Sequence, residues 1–251
     1  MPLTFCAMRL SSMIMICLGY SLLAQDVAPE DMPEWQTAER LLAPLKNSGI
    51  DISSVDELLK VLQGDNLGYQ SGALYLLEKR HVKSAVPIIR NLAAQTTNSP
   101  ILRVLACEAL AGLDRDNSSW KVPCRGLLEI DKEGLRIRAA AALAKAGDAS
   151  GWRITREALT SSNSNLVAEA AISAVFFEGL ELRLGEKIHL LPVCAEAFPK
   201  ADEDSQIFLL SVIDKLARTE DTTLVSRLLD SAKTDFGKVS IRKMLKRIAP
   251  K

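Results

Sequence analysis

The chain has 251 residues, with 31 basic side chains balanced by 31 acidic ones, and it is 48% hydrophobic and 25% charged. That apolar share supports a packed core and excludes a disordered chain, and the zero net charge argues against a protein built around a nucleic-acid backbone. Only 5% of residues are aromatic, so Ala and Leu carry the apolar content, which favours closely packed helices over a sheet sandwich.

Arg9 is the only charge before Asp26, and the 15-residue run Leu10–Ala24 that follows it is uncharged. A membrane span needs about 20 apolar residues. A positive start, an apolar middle and a small residue at Ala24 instead predict a secretory signal peptide over residues 1–24. Left uncleaved, the same segment is an anchor. The reading places the chain outside the cytoplasm, periplasmic or secreted. Without that segment the cysteines are Cys107, Cys124 and Cys194. Cys107 and Cys124 flank a turn near Asp114–Asp116, so in an antiparallel helix pair they fall at similar heights and a disulfide is one reading. The other is three small core residues.

A first helix is expected around Pro33–Lys46, with Pro44 bending or ending it and Asn47-Ser48-Gly49 closing it. Ser53/Ser54 with Glu57 predict a capping box for a second helix through Leu62. This pair, residues 27–64, fits the rest poorly and reads as a terminal cap.

From residue 65 to 235 a repeat sets in. A small residue recurs at Ala73, Ala106, Ala139 and Ala171, and a large one four on at Leu77, Leu110, Leu143 and Val175, with spacings of 33, 33 and 32. Residues four apart share a helical face. The small one admits a neighbouring helix and the large one fills the gap beyond. A polar residue stands three before the small one at Gln70, Arg103 and Arg136, fails at Ala168, and returns at Gln206 and Lys238 as the frame continues through Leu209/Ile213 and Ile241/Leu245. Second helices open with Val86-Pro87, Val122-Pro123, Trp152-Arg153 and Leu191-Pro192. Six helix pairs and a closing helix, residues 236–251, account for the chain. Nothing reads as a strand.

RIRAAAALAKAGD at 136–148, with LRVLACEALAGL at 102–113 and VAEAAISAV at 167–175, resembles the short HEAT-like repeat first known from bilin lyases. The ankyrin Thr-Pro-Leu-His signature and the aromatic positions of the TPR are absent. The resemblance implies an all-α fold, an α–α superhelix of the HEAT-like or ARM type whose second helices line a concave surface, and an activity of binding proteins or peptides.

Candidate sites follow from departures. The step from Val175 to Ile213 is 38 residues, and the extra length falls in Glu178–Lys187, EGLELRLGEK. It reads either as a binding loop between repeats or as a longer helix. The closing helix carries Lys238, Arg242, Lys243, Lys246, Arg247 and Lys251 with no acid after Asp235; it is a solvated cap or a dock for an acidic partner or headgroup layer. Trp120 is the expected exposed aromatic, whereas Trp152 aligns with Val86 and Val122 and is expected in the core. Trp120, Arg90 and Arg156 on second helices, and Leu182 and Arg183 in the insertion, are the candidate binding residues.

No catalytic, metal or cofactor residues are assigned. His81 and His189 are the only histidines and neither precedes a Glu; Asp202-Glu203-Asp204 reads as a helix start, where acids suit the dipole. The expectation is an exported, non-enzymatic scaffold for a protein or peptide partner, with no nucleic acid or cofactor. Membrane contact is expected only through the basic closing helix or an uncleaved N-terminus. A lyase-like enzyme or accessory subunit holding a small ligand, and a self-associating array, are the alternatives.

Overall fold

The computed structural model describes residues 42–184 and 188–249. The export segment, the helix start at Pro33 and the tip of the insertion therefore lie outside the described residues. The chain is all-helical, with no strand among the described residues. The described residues divide into two compact units, one ending at Leu127 and the other beginning at Leu128.

In the first unit, residues 42–47 are helical and bury Leu45 completely. The Ser48 N–H and hydroxyl both donate to the Leu45 carbonyl, at 3.2 and 2.7 Å, and Gly49 turns the chain at φ +76°. Helix α1 is Val55–Leu62. Its N-cap is half of the expected box: Ser54 Oγ accepts from the Glu57 N–H at 3.3 Å, while the Glu57 carboxylate pairs with Lys60 at 2.8 Å. Asn66 caps α2 (Leu67–Lys79) and Ser99 caps α4 (Pro100–Leu113), each side chain accepting from a backbone N–H three residues on. Between them lies α3 (Val86–Ala94), with Pro87 in its first turn, and α5 (Lys121–Gly126) follows. Helix α2 packs on α4, while α1 and α5 each touch α3.

The second unit holds α6 (Glu133–Lys145), α7 (Trp152–Leu159), α8 (Ser164–Leu184), α9 (Leu190–Ala197), α10 (Glu203–Leu216), α11 (Thr222–Arg227) and α12 (Asp235–Ile248). Asp202 caps α10 as expected, accepting from the Ser205 N–H at 2.7 Å. Helix α8 packs on both α6 and α10, α10 packs on α12, and α7 packs on α9. Within each unit, long helices stack on long helices and short ones on short ones.

The small and large positions explain the stacking. Ala73, Ala106, Ala139 and Ala171 are wholly buried, as are Leu77, Leu110, Leu143, Leu209 and Ile213. Fully burying one such leucine contributes about 1.5–3 kcal/mol. Alanines 139–142 are all buried, so α6 offers a surface nearly free of protrusions. One consequence is visible at Gly151, where an added Cβ would stand 2.6 Å from the Ala140 Cα.

Two positions correct the expected register. Val175 is half-buried, and Ala170, Ala174 and Phe177 carry the covered face of α8. Val175 is about 100° around the helix from Ala174, on the flank of a helix whose covered face is set by α6 and α10. Leu245 is likewise half-buried, because Ile241, Met244 and Ile248 form the inward stripe of α12.

The insertion is the longer helix rather than the loop. Helix α8 runs 21 residues to Leu184, and residues 185–187 lie outside the described residues. Glu178 is buried and paired with Lys215 at 2.7 Å, Leu180 is fully buried, and the Glu181 carboxylate accepts from the Leu190 N–H at 3.0 Å. The extra turns are thus tied to α9 and α10.

Candidate functional site

The periodic polar position turns out to be a capping device. The last carbonyls of a helix have no partner within it, and here side chains from the next helix supply one. Gln70 Nε2 donates to the carbonyls of Leu62 at 3.2 Å and Gly64 at 2.7 Å, closing α1. Arg103 Nε donates to the Ala93 carbonyl at 3.2 Å, closing α3. Gln206 Nε2 donates to Phe198 at 2.9 Å beyond α9 and to Ser231 at 3.0 Å, while its oxygen accepts from the Lys233 N–H at 3.0 Å. Arg136 departs from the rule: its Nε is buried and has no hydrogen-bond partner among the described residues.

Trp120 is not an exposed aromatic. It is 1% exposed, and its indole Nε1–H donates to the Asp114 carbonyl at 2.9 Å. A buried indole keeps its N–H paired, and the C-terminus of α4 offers the acceptor. Arg90, the second candidate, serves the same end. Its Nε and Nη2 donate to Asp114 Oδ2 at 2.8 and 2.6 Å, and Lys83 donates from Nζ to the Leu113 carbonyl. Two cations and an indole therefore close the C-terminus of α4, where the helix dipole favours positive charge. The structure brings Trp120 and Arg90 together around Asp114, as helix-closing residues.

The histidines also hold backbone. His81 and His189 are exposed and are the two described non-glycine residues in the left-handed region, each at φ 54°. His81 follows α2 as Gly147, at φ +84°, follows α6. The Val82 N–H returns to the Leu77 carbonyl at 3.0 Å and the Asp148 N–H to the Leu143 carbonyl at 2.9 Å, the same helix-ending motif one double repeat apart. Among the described residues, no group of three or more His, Cys, Asp or Glu side chains could hold a metal ion. Cys107, Cys124 and Cys194 are buried, and burial, with the Glu181 carboxylate adding to it, pushes the Cys194 thiol far above the usual thiol range.

The outer face of α7 is open to solvent. Trp152, expected in the core, is half-buried and leans on Phe177 with ring centroids 5.2 Å apart and planes at 54°. Arg156 is exposed on the next turn, and its side chain has no partner among the described residues. A spacing of four puts the two on one face. Arg153 and Glu157 flank them as an exposed ion pair at 2.9 Å. Helix α9, packed beside α7, presents exposed Pro192 and half-buried Val193, and Lys200 donates to the Thr160 carbonyl at 3.2 Å, tying the ends of the two helices. Leu182 is 48% exposed near the end of α8; the side chain of Arg183 lies outside the described residues. The i, i+4 spacing of Trp152 and Arg156 was the available signal for this face, and the alignment of Trp152 with Val86 masked it.

No protein-family model matches the chain, and no curated protein matches it significantly. Among the described residues no helix is long and apolar enough to cross a membrane.

Proposed function

We propose that this chain is an exported, non-enzymatic HEAT-like scaffold, an α–α superhelix that holds a protein or peptide partner along its second helices. The observation that carries this reading is the segregated packing within each unit. Within each unit the long first helices bury their small and large positions against one another, and the short second helices pack beside them with outward residues exposed. The face of α7 and α9 supplies a contact surface of the expected kind, with a rigidly held aromatic, Trp152, beside a free cation, Arg156. Trp and Arg are the residues that most often dominate such contacts. A carboxylate-bearing segment with an apolar side chain suits that pair.

A photoreactive amino acid placed at Arg156 and, separately, at Asn91, both exposed on second helices, tests the reading in the native cell envelope. One common partner trapped from both positions, and not from Asp214 on α10, supports it. Equal trapping from Asp214, or only chain-to-chain products, counts against it. Export has its own readout: the mature protein should begin near Gln25, and an N-terminal sequence that still carries Arg9 would refute cleavage.

A further inference from the structure

We propose that the outer face of α12 docks the chain onto an anionic lipid surface. Ile241, Met244 and Ile248 point inward, so the opposite face meets solvent. On it stand Phe236, 59% exposed, and Val239, 45% exposed, followed by exposed Arg242, Lys243 and Lys246. Residues 236, 239, 243 and 246 follow one another at spacings of three and four, which is one stripe along the helix. Asp235 is exposed in the first turn, but no acid follows it. Arg247 is set apart, held by Asp214 at 3.1 Å. A helix that merely closes an array needs charge outside, but it gains nothing from an exposed phenylalanine. A headgroup layer uses both features: the cations meet lipid phosphates and the ring enters the acyl boundary. The inference stands apart from the second-helix reading and uses none of its residues.

The test is flotation of the full chain with vesicles of phosphatidylcholine alone and of phosphatidylcholine mixed with phosphatidylglycerol. The N-terminal segment is present in every protein compared, so its contribution is shared. Each cation near an anionic leaflet is worth roughly a fivefold gain, and three predict a preference for the anionic vesicles of roughly a hundredfold. The R242E/K243E/K246E variant should lose that preference, and Phe236→Ser should weaken anionic binding several-fold. All four side chains are exposed or mostly so, and unchanged helical circular dichroism confirms that the variants fold. Equal partitioning of the wild type, or a preference that survives the triple reversal, overturns the proposal. So does tight, cation-dependent binding to soluble polyglutamate that is indifferent to Phe236→Ser, which would assign the face to an acidic macromolecule.

Discussion

Gln206 stands eight residues beyond Phe198 and donates to its carbonyl at 2.9 Å; Gln70 stands eight residues beyond Leu62 and does the same at 3.2 Å. At Gln70, Arg103 and Gln206 the repeat therefore passes a hydrogen bond from a first helix back to the end of the helix before it. Gln206 does more, because it also holds the Ser231 carbonyl and the Lys233 N–H. Gln206→Leu keeps the volume and strands three backbone groups. Each stranded buried group costs about 1–3 kcal/mol, and with partial access to water the sum is expected near 2–4 kcal/mol. Urea unfolding should show it as a lower midpoint at unchanged slope. A variant as stable as the parent would remove the capping role.

His81 occupies a position that Gly147 fills in the central repeat. A side chain in the left-handed region costs about 1–2 kcal/mol, and an added glycine loosens the unfolded chain by about 0.4–1 kcal/mol. His81→Gly should therefore stabilise by about 0.5–1 kcal/mol, the difference between the two. A higher melting temperature is the expected result. The same substitution at the exposed, helical Glu133 should lower it, which separates strain relief from any general effect of glycine.

Much of this was legible in the sequence, and for a physical reason. Small and large residues 33 apart encode how closely helices approach, and Leu77, Leu110 and Leu143 are buried where that pattern puts them. Val175 was not, because the covered face of α8 is decided by the helices on either side of it. Trp120 resisted reading for another reason. Its environment depends on a carbonyl six residues away at a helix end, a relation that no periodicity expresses. The polar position was visible as a recurrence, yet its acceptors lie in the preceding helix and only coordinates reveal them. The insertion could be loop or helix from sequence. Glu178 and Glu181 decide it by reaching Lys215 and the Leu190 N–H.

Gly151 should be intolerant of a methyl group. The added Cβ would lie 2.4 Å from Ala140 Cβ and 2.6 Å from its Cα, and neither atom can swing aside. Outside such a contact, Gly→Ala usually stabilises. Here the overpacking is expected to destabilise by about 1–3 kcal/mol. The pair Gly126→Ala and Gly151→Ala makes the measurement decisive, since Gly126 has nothing within 4 Å of its added Cβ. Equal thermal shifts for both would mean that α7 does not approach α6 as closely as described.

The three described cysteines should be silent to a thiol reagent in the native state. Cys107, Cys124 and Cys194 have no exposed surface, and at Cys194 burial also suppresses the reactive thiolate. With Cys6 and Cys17 replaced by serine, native protein should give almost no reaction, and unfolding without reductant should release three thiols. One thiol on unfolding would instead mean that Cys107 and Cys124 pair after export.

Thr155 is completely buried, and its hydroxyl has no hydrogen-bond partner among the described residues. A buried hydroxyl left without a partner costs about 1–3 kcal/mol, and valine matches threonine in shape while removing that group. Helix propensities of the two are close, so little offsets the gain. Thr155→Val is expected to stabilise by about 1 kcal/mol, whereas Thr155→Ala should lose stability through the space it leaves. Thr155 is buried whereas Arg156 beside it is exposed, so the valine variant also separates the covered part of α7 from its open part. If α7 presents the partner-binding face, Thr155→Val should raise the melting temperature and leave crosslinking from Arg156 unchanged. A stabilised variant with lost crosslinking would instead place the buried side of α7 in the contact, and the face assigned to Trp152 and Arg156 would have to be given up.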